Sequence, residues 1–321
     1  MIASANARLS GVLSVLIAAI LWGTTGTAAS FAPDVSAAAI GSAAMGIGGL
    51  LQAAIAYSVI AKHRVQLLRQ WRLLVVGALA VAVYPLAFYA SMRLAGVTIG
   101  TVVTIGSAPL LSALIENRMD GLRLTKRWVC GAALGLIGMV LICLAEGNGH
   151  NHSGVSSSIL MGVLLGLAAG FTYALYSWAA WRMMQQTLPS RAVMGSMFGI
   201  GGLMLMPVLI VTGAPLLASV TNFSVGAYMA LVPMFLGYVC FGYGLARISA
   251  STATAITLSE PAVAAVLAVV IVGERLDMAG WVGVGLVISS LLVITWPTTT
   301  TYSDINDVGG GASAGIGGAP L

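Results

Sequence analysis

Ten stretches of mostly apolar sequence, each long enough to cross a bilayer, leave this chain few possible folds. They run at about residues 11–31, 36–60, 73–92, 94–115, 128–144, 159–181, 192–212, 225–246, 250–272 and 279–296. A hydrocarbon core of roughly 30 Å is crossed by about 20 helical residues. Inside it every backbone amide must be satisfied within its own helix or in a closed barrel. Continuous apolar runs of this length, without strand-like alternation, predict an all-α integral membrane protein with ten transmembrane helices. Composition agrees: 59% of residues are hydrophobic, only 7% are charged, and mean hydropathy is +1.00. A soluble chain carries about 25% charge. Taken alone the first run could be a signal peptide, but the similar runs behind it make it the first span.

The runs are duplicated. Tyr84 and Tyr89 stand five apart with Arg93 four further on, as do Tyr238, Tyr243 and Arg247. Ser107-Ala108-Pro109 answers Ser259-Glu260-Pro261, and Gly121-Leu122-Arg123-Leu124 lies as far past its proline as Gly273-Glu274-Arg275-Leu276 past its own. Register breaks only between arginine and proline, 16 positions apart in the first copy and 14 in the second. An ordered set of this kind reads as an internal repeat. Five spans per copy is an odd number, so the copies must insert in opposite orientations, which is the inverted-repeat plan of secondary transporters. The expected organisation is a first five-helix repeat over 1–145, an external linker over 146–157, a second repeat over 158–296 and a disordered cytoplasmic tail over 297–321.

Topology accounts for the net charge of +5 better than a polyanionic partner does, because the basic residues sit between apolar runs. With the N-terminus inside, 14 lysines and arginines divide so that only Arg93 and Arg275 face out. The sequence therefore places both termini in the cytoplasm, with no nucleic acid among the partners. Cys130, Cys143 and Cys240 fall in apolar runs without metal-like spacing and read as small buried hydrophobes. His150 and His152 sit in a Gly/Asn/Ser linker, read as a solvated loop rather than a metal site. No phosphate-binding glycine motif is present, so neither a nucleotide cofactor nor ATP-driven pumping is expected. A membrane serine protease would need an intramembrane histidine and an aspartyl type paired intramembrane aspartates; neither exists, so no catalytic residues are assigned.

Where chemistry could sit is more limited. Glu260 is the one acid well inside an apolar run, where the first copy has Ala108. A carboxylate at that depth is costly unless protonated, paired or facing water, so it is read either as a helix–helix hydrogen bond or as a substrate or proton site. Pro109 and Pro261 remove a backbone donor in mid-span, freeing the carbonyls of Ile105 and Thr257; they are candidate hinges or fixed bends. Tyr84, Tyr89, Tyr238 and Tyr243 lie within spans, with Trp22 in the first and Tyr173 and Tyr176 in the sixth. Aromatics with a polar tip suit a solute of mixed polarity, including an amine held by cation–π contact.

With the repeat established, the chain resembles the drug/metabolite transporter superfamily, EamA type, over both halves. The resemblance rests on Leu21-Trp22-Gly23, on the proline-containing fourth span of each half, and on Leu258-Ser259-Glu260-Pro261 through Gly273-Glu274-Arg275-Leu276. The first copy departs from the family's pattern, with Leu122 where Glu is frequent. The resemblance implies a solute carrier of the bacterial inner membrane, often an exporter of amino acids or other metabolites, with a central cavity between the halves. Mapped onto this chain, the substrate-binding set is Trp22, Tyr84, Ser107, Tyr173, Tyr238, Ser259 and Glu260, with protons as the candidate coupling ion. A passive channel or facilitator is the alternative, and an integral-membrane enzyme a weaker one.

Overall fold

The protein's structure, a computed structural model, describes residues 2–122, 124–147, 157–272 and 277–296. Among the described residues, 10 helical segments are long and apolar enough to cross a membrane. The first half comprises α1 (Ile2–Gly23) with the short α2 (Thr25–Ala29), then α3 (Ala37–Arg69), α4 (Trp71–Ala95), α5 (Val97–Asp120) and α6 (Lys126–Gly147). The second begins with α7 (Ser157–Gln185) and α8 (Ser190–Thr212). Its third span is composite: α9 (Val220–Met229), a π segment (Ala230–Leu236) and α10 (Gly237–Leu245). So is its fourth: α11 (Ala250–Ile256), a 3-10 turn (Thr257–Ser259), α12 (Glu260–Leu267) and a second π segment (Ala268–Val272), before α13 (Met278–Thr295) closes the half.

Packing between halves follows the duplication. α3 lies along α8, α6 along α13 and α5 along α11, each pair joining equivalent spans. The contact of α4 with α7 is matched by that of α10 with α1, and α5 with α7 by α12 with α1. The fold is thus two inverted five-helix repeats that interleave. Lipid tails offer helices no hydrophobic incentive to associate, so close approach relies on small residues. Gly138 and Gly283 provide it between α6 and α13, where a Cβ on either would stand 2.7 or 2.6 Å from the other's carbonyl oxygen. Between α3 and α8 the close approach is at Gly49 and Gly202, where a Cβ on Gly49 would run into the Phe198 carbonyl oxygen and one on Gly202 would stand 2.7 Å from that of Gly46.

Several element boundaries differ from expectation. α3 continues through Lys62, His63, Arg64 and Arg69 to a one-residue break at Gln70, because Lys, Arg, Gln and Leu are good helix formers once clear of the bilayer. The stretch from Glu116 to Arg127, which lies between the fourth and fifth predicted spans, is helical to Asp120. There Gly121, at φ 69°, supplies the left-handed cap that ends α5. Pro109 does not interrupt α5, whereas Pro261 follows the 3-10 turn that separates α11 from α12. The linker histidines, Glu274 with its neighbours, and the tail from Pro297 lie outside the described residues.

All connections that carry the clustered basic residues emerge on one side, the basic face. Lys62, Arg64, Arg69, Arg72, Arg118, Lys126, Arg127, Arg182, Arg191 and Arg247 lie there, and Arg93 lies near the opposite end of α4.

Candidate functional site

A narrow cavity opens between the halves in the half of the bundle away from the basic face. It encloses about 520 Å³ of space not filled by atoms, counting its mouth. The end of α1 contributes Trp22, followed by Thr25. The start of α3 contributes Gly41, Ala44 and Met45, and the second half of α4 Tyr84, Pro85, Phe88 and Tyr89. From the other repeat come Tyr173 on α7, Met234 in the π segment, Tyr238 on α10 and Glu260 at the head of α12.

Rings build the walls. Tyr84 stacks on Phe88 at 5.8 Å and meets Tyr173 at 5.6 Å, while Phe88 and Tyr89 lie 5.4 Å apart. Trp22 packs on Tyr238 at 4.7 Å and on Phe241 at 5.3 Å. Its indole N–H donates to the Pro233 carbonyl at 2.8 Å, so a buried donor finds its partner in the irregular backbone of the π segment. Thr257 donates its hydroxyl proton to the Thr254 carbonyl at 2.8 Å. The Tyr173 hydroxyl, 2.9 Å from Thr257 Oγ1, is therefore the donor in that pair. Tyr176 and Tyr238 share a proton hydroxyl to hydroxyl at 2.9 Å beneath the floor.

Glu260 is half-buried, and among the described residues its carboxylate has neither a hydrogen-bond donor nor a cation as partner. Among the described residues it is the one formally charged side chain on the lining. The backbone puts it there. Pro261 has no N–H, and the preceding 3-10 turn is stabilised by Thr257 and Ser259 hydroxyls returned to the Thr254 and Ile256 carbonyls. That step turns the first residue of α12 toward the space between the halves.

Of the seven sequence-predicted cavity residues, Trp22, Tyr84, Tyr173, Tyr238 and Glu260 are brought together on this lining. Ser107 and Ser259 are not. Ser259 is buried, donating to Ile256 at 2.8 Å; Ser107 donates to Thr104 at 3.3 Å and packs against Gly170 of α7. In an apolar medium a serine's cheapest acceptor is a carbonyl of its own helix, which withdraws it from the cavity. Phe88, Met45 and Met234 were missed. Helical spacing is the one signal that points to two of them, since Phe88 follows Tyr84 by one turn and Met234 precedes Tyr238 by one turn; Met45 has no such marker.

On the basic face the cavity is sealed. Tyr176, Phe198, Phe241, Met197 and Leu245 are almost wholly buried. Polar ties between the halves lie beyond them. Glu116, buried at the end of α5, accepts from the Ser251 backbone N–H of α11 at 3.2 Å. Asp120, one turn on, pairs with Arg182 and accepts from the Trp178 indole of α7 at 2.6 Å. The duplicated tyrosines show the same one-sidedness, with Tyr89 in the cavity and its counterpart Tyr243 outside it under the Arg247 guanidinium, 3.4 Å from the ring centre.

Comparison with known proteins places this geometry. The EamA-like transporter family matches residues 9–144 and 160–296, one match for each half. The uncharacterized transporter YwfM of Bacillus subtilis is 32% identical over 287 residues, covering 88% of this chain and 93% of that protein. The uncharacterized inner membrane transporter YicL of Salmonella typhimurium is 26% identical, covering 89% and 95%. A probable terminal-alkyne amino-acid exporter of Streptantibioticus cattleyicolor is 29% identical over 59% of this chain and 61% of its own length. A solved crystal structure shares the fold at a TM-score of 0.73, with 22% identity over 89% of this chain and 96% of that one.

Proposed function

The chain belongs to the EamA-like transporter family, and we propose that it is a secondary transporter that exports small organic amines, amino acids among them, by alternating access of its inverted halves. It is a multi-pass membrane transporter rather than an enzyme. The observation that carries the finer reading is the lining: six aromatic side chains around one carboxylate that, among the described residues, has no partner and no Lys, Arg or His beside it. Such a site favours a cation, held by Glu260 and by the negative faces of the rings, and offers an anion no counter-charge. Glu260 balances charge by holding a proton when the cavity is empty and the solute's ammonium when it is loaded, which couples amine movement to a proton gradient. The amino-acid exporter among the relatives supports export as the direction.

The basic face is assigned to the cytoplasm by the positive-inside rule, and both termini with it. On that assignment the cavity opens away from the cytoplasm and its floor is the closed gate. Pro261 serves as the pivot of the central helices, beside a 3-10 turn that already departs from α geometry, while its counterpart Pro109 lies within the unbroken α5. A floor of buried rings and methionines favours gated transport over a passive pore.

The test is a panel of amines, amino acids and anions in proteoliposomes, with and without a proton gradient, run beside Glu260→Gln. Saturable counterflow of cationic solutes, driven by the gradient and lost in Glu260→Gln, is expected. Unaltered flux and gradient dependence in that variant would remove Glu260 from the mechanism. Flux without saturation or counterflow would establish a facilitator instead.

A further inference from the structure

A second cleft lies on the outer surface of the bundle, between α3, α4 and α8. It holds about 850 Å³ including its open side and is lined chiefly by Leu50, Ile60, Leu74, Gly199 and Leu203, with Arg64 at one end. Its lining is otherwise apolar apart from Ser196, whose hydroxyl is spent on the Ala192 carbonyl at 2.6 Å. The cleft has no part in the central cavity, from which α3 and α8 separate it.

Three observations identify its occupant. The first is charge. Arg64 is exposed, and among the described residues no acid pairs with it. Between Asp34 and Glu116 the sequence contains no Asp or Glu, so Lys62, Arg64, Arg69 and Arg72 form a corner with no acidic neighbour along the chain. The second is depth. Trp71 is 54% exposed at the head of α4 with the Arg72 guanidinium 5.8 Å from its ring centre, an interfacial pair that marks the headgroup level at the Arg64 end. The third is length. From Gly195 to Leu203 the cleft follows α8 for about 12 Å, and from Leu50 to Ile60 it follows α3 for about 15 Å before reaching Arg64, at a rise of about 1.5 Å per residue. Half of a hydrocarbon core is about 15 Å. An acyl chain of one leaflet fits the stretch that lies below Arg64.

We propose that this cleft is a binding site for an anionic phospholipid, with one acyl chain along α8 and the phosphate headgroup on the Arg64 guanidinium. Basic pockets between helices at an anionic leaflet are suited to this recognition. The α3–α8 pair joins equivalent spans of the two repeats, so the lipid bridges the halves at their outer seam.

The experiment uses the full chain in nanodiscs of phosphatidylcholine with graded phosphatidylglycerol, with retained lipids counted by native mass spectrometry. Phosphatidylglycerol is expected to be retained over phosphatidylcholine. Arg64→Gln should lower that preference about fivefold, the worth of one basic residue at an anionic surface. Arg64→Lys, which keeps the charge, should retain most of it. Ile200→Trp, which fills the cleft, should reduce retention of both lipids. The proposal fails if Arg64→Gln and Ile200→Trp leave lipid retention as in the wild type, or if Arg64→Lys loses the preference as fully as Arg64→Gln. It also fails if the cleft proves to hold a second copy, seen as a dimer that Ile200→Trp dissociates.

Discussion

Replacing Asp120 by alanine should unlatch the closed side of the cavity. Its carboxylate accepts from the Trp178 indole at 2.6 Å and pairs with Arg182, both on the opposite repeat. A hydrogen bond to a charged group contributes about 1.5–3 kcal/mol when well buried. Here the Asp120 side chain is 14% exposed and that of Arg182 35%, so the ion pair is screened and adds at most about 1 kcal/mol. A loss of about 2 kcal/mol is the reasonable total, equivalent to roughly a 30-fold change in population. If these bonds exist only while the basic side is shut, that free energy moves the balance toward the state open on the basic face. Hydrogen exchange in nanodiscs reads it directly. The first amides of α11, whose Ser251 N–H is held by Glu116, should exchange about 10–30-fold faster in Asp120→Ala. Trp178→Phe, which spares the ion pair, should produce a smaller increase. Unchanged exchange at α11 together with a lower melting temperature would refute the reasoning, because the ties would then persist in every state.

Other perturbations separate binding from scaffolding. Trp22→Phe leaves the Pro233 carbonyl without its donor and should cost about 1–3 kcal/mol, measured by thermal unfolding in detergent. Gly138→Ala and Gly283→Ala each push a methyl group toward a backbone oxygen at 2.7 and 2.6 Å, and should each destabilise α6 against α13 by about 1–3 kcal/mol. Ser259→Ala should leave solute affinity within about twofold, since its hydroxyl is committed to the Ile256 carbonyl within the same span and makes no bond into the cavity. A larger loss of affinity would mean that the hydroxyl turns into the cavity during transport.

Much of this architecture is legible in the chain. Hydropathy marks every span because a lipid-exposed helix has no alternative to apolar side chains, and the odd number of spans per repeat fixes the inversion. Glu260 is conspicuous as an acid in an apolar run. What hydropathy cannot report is azimuth. Leu, Val and Phe serve equally well toward lipid, toward another helix or toward a cavity, so Phe88 and Met234 looked no different from their neighbours. Glu116 shows the converse error. Its position beside Asn117 and Arg118 suggests a loop, yet it is a buried helical residue whose partner is a backbone amide 135 positions away. Helix extents past the bilayer were similarly hidden, because the basic stretch ending α3 is polar and helix-forming at once.

The two repeats share a plan but not a stiffness. In the first, the third and fourth spans are continuous α-helices despite Pro85 and Pro109. In the second, the equivalent spans contain π segments at Ala230–Leu236 and Ala268–Val272 and a 3-10 turn at Thr257–Ser259. Such interruptions loosen the hydrogen-bond ladder and concentrate bending where they occur. On the alternating-access proposal, the first repeat acts as a stator and the second as the rocker that moves against it. Trp22 of the first repeat meets the second at Pro233, inside one of its compliant turns, so on the proposed mechanism a solute held against that ring would strain the most yielding point of the moving half.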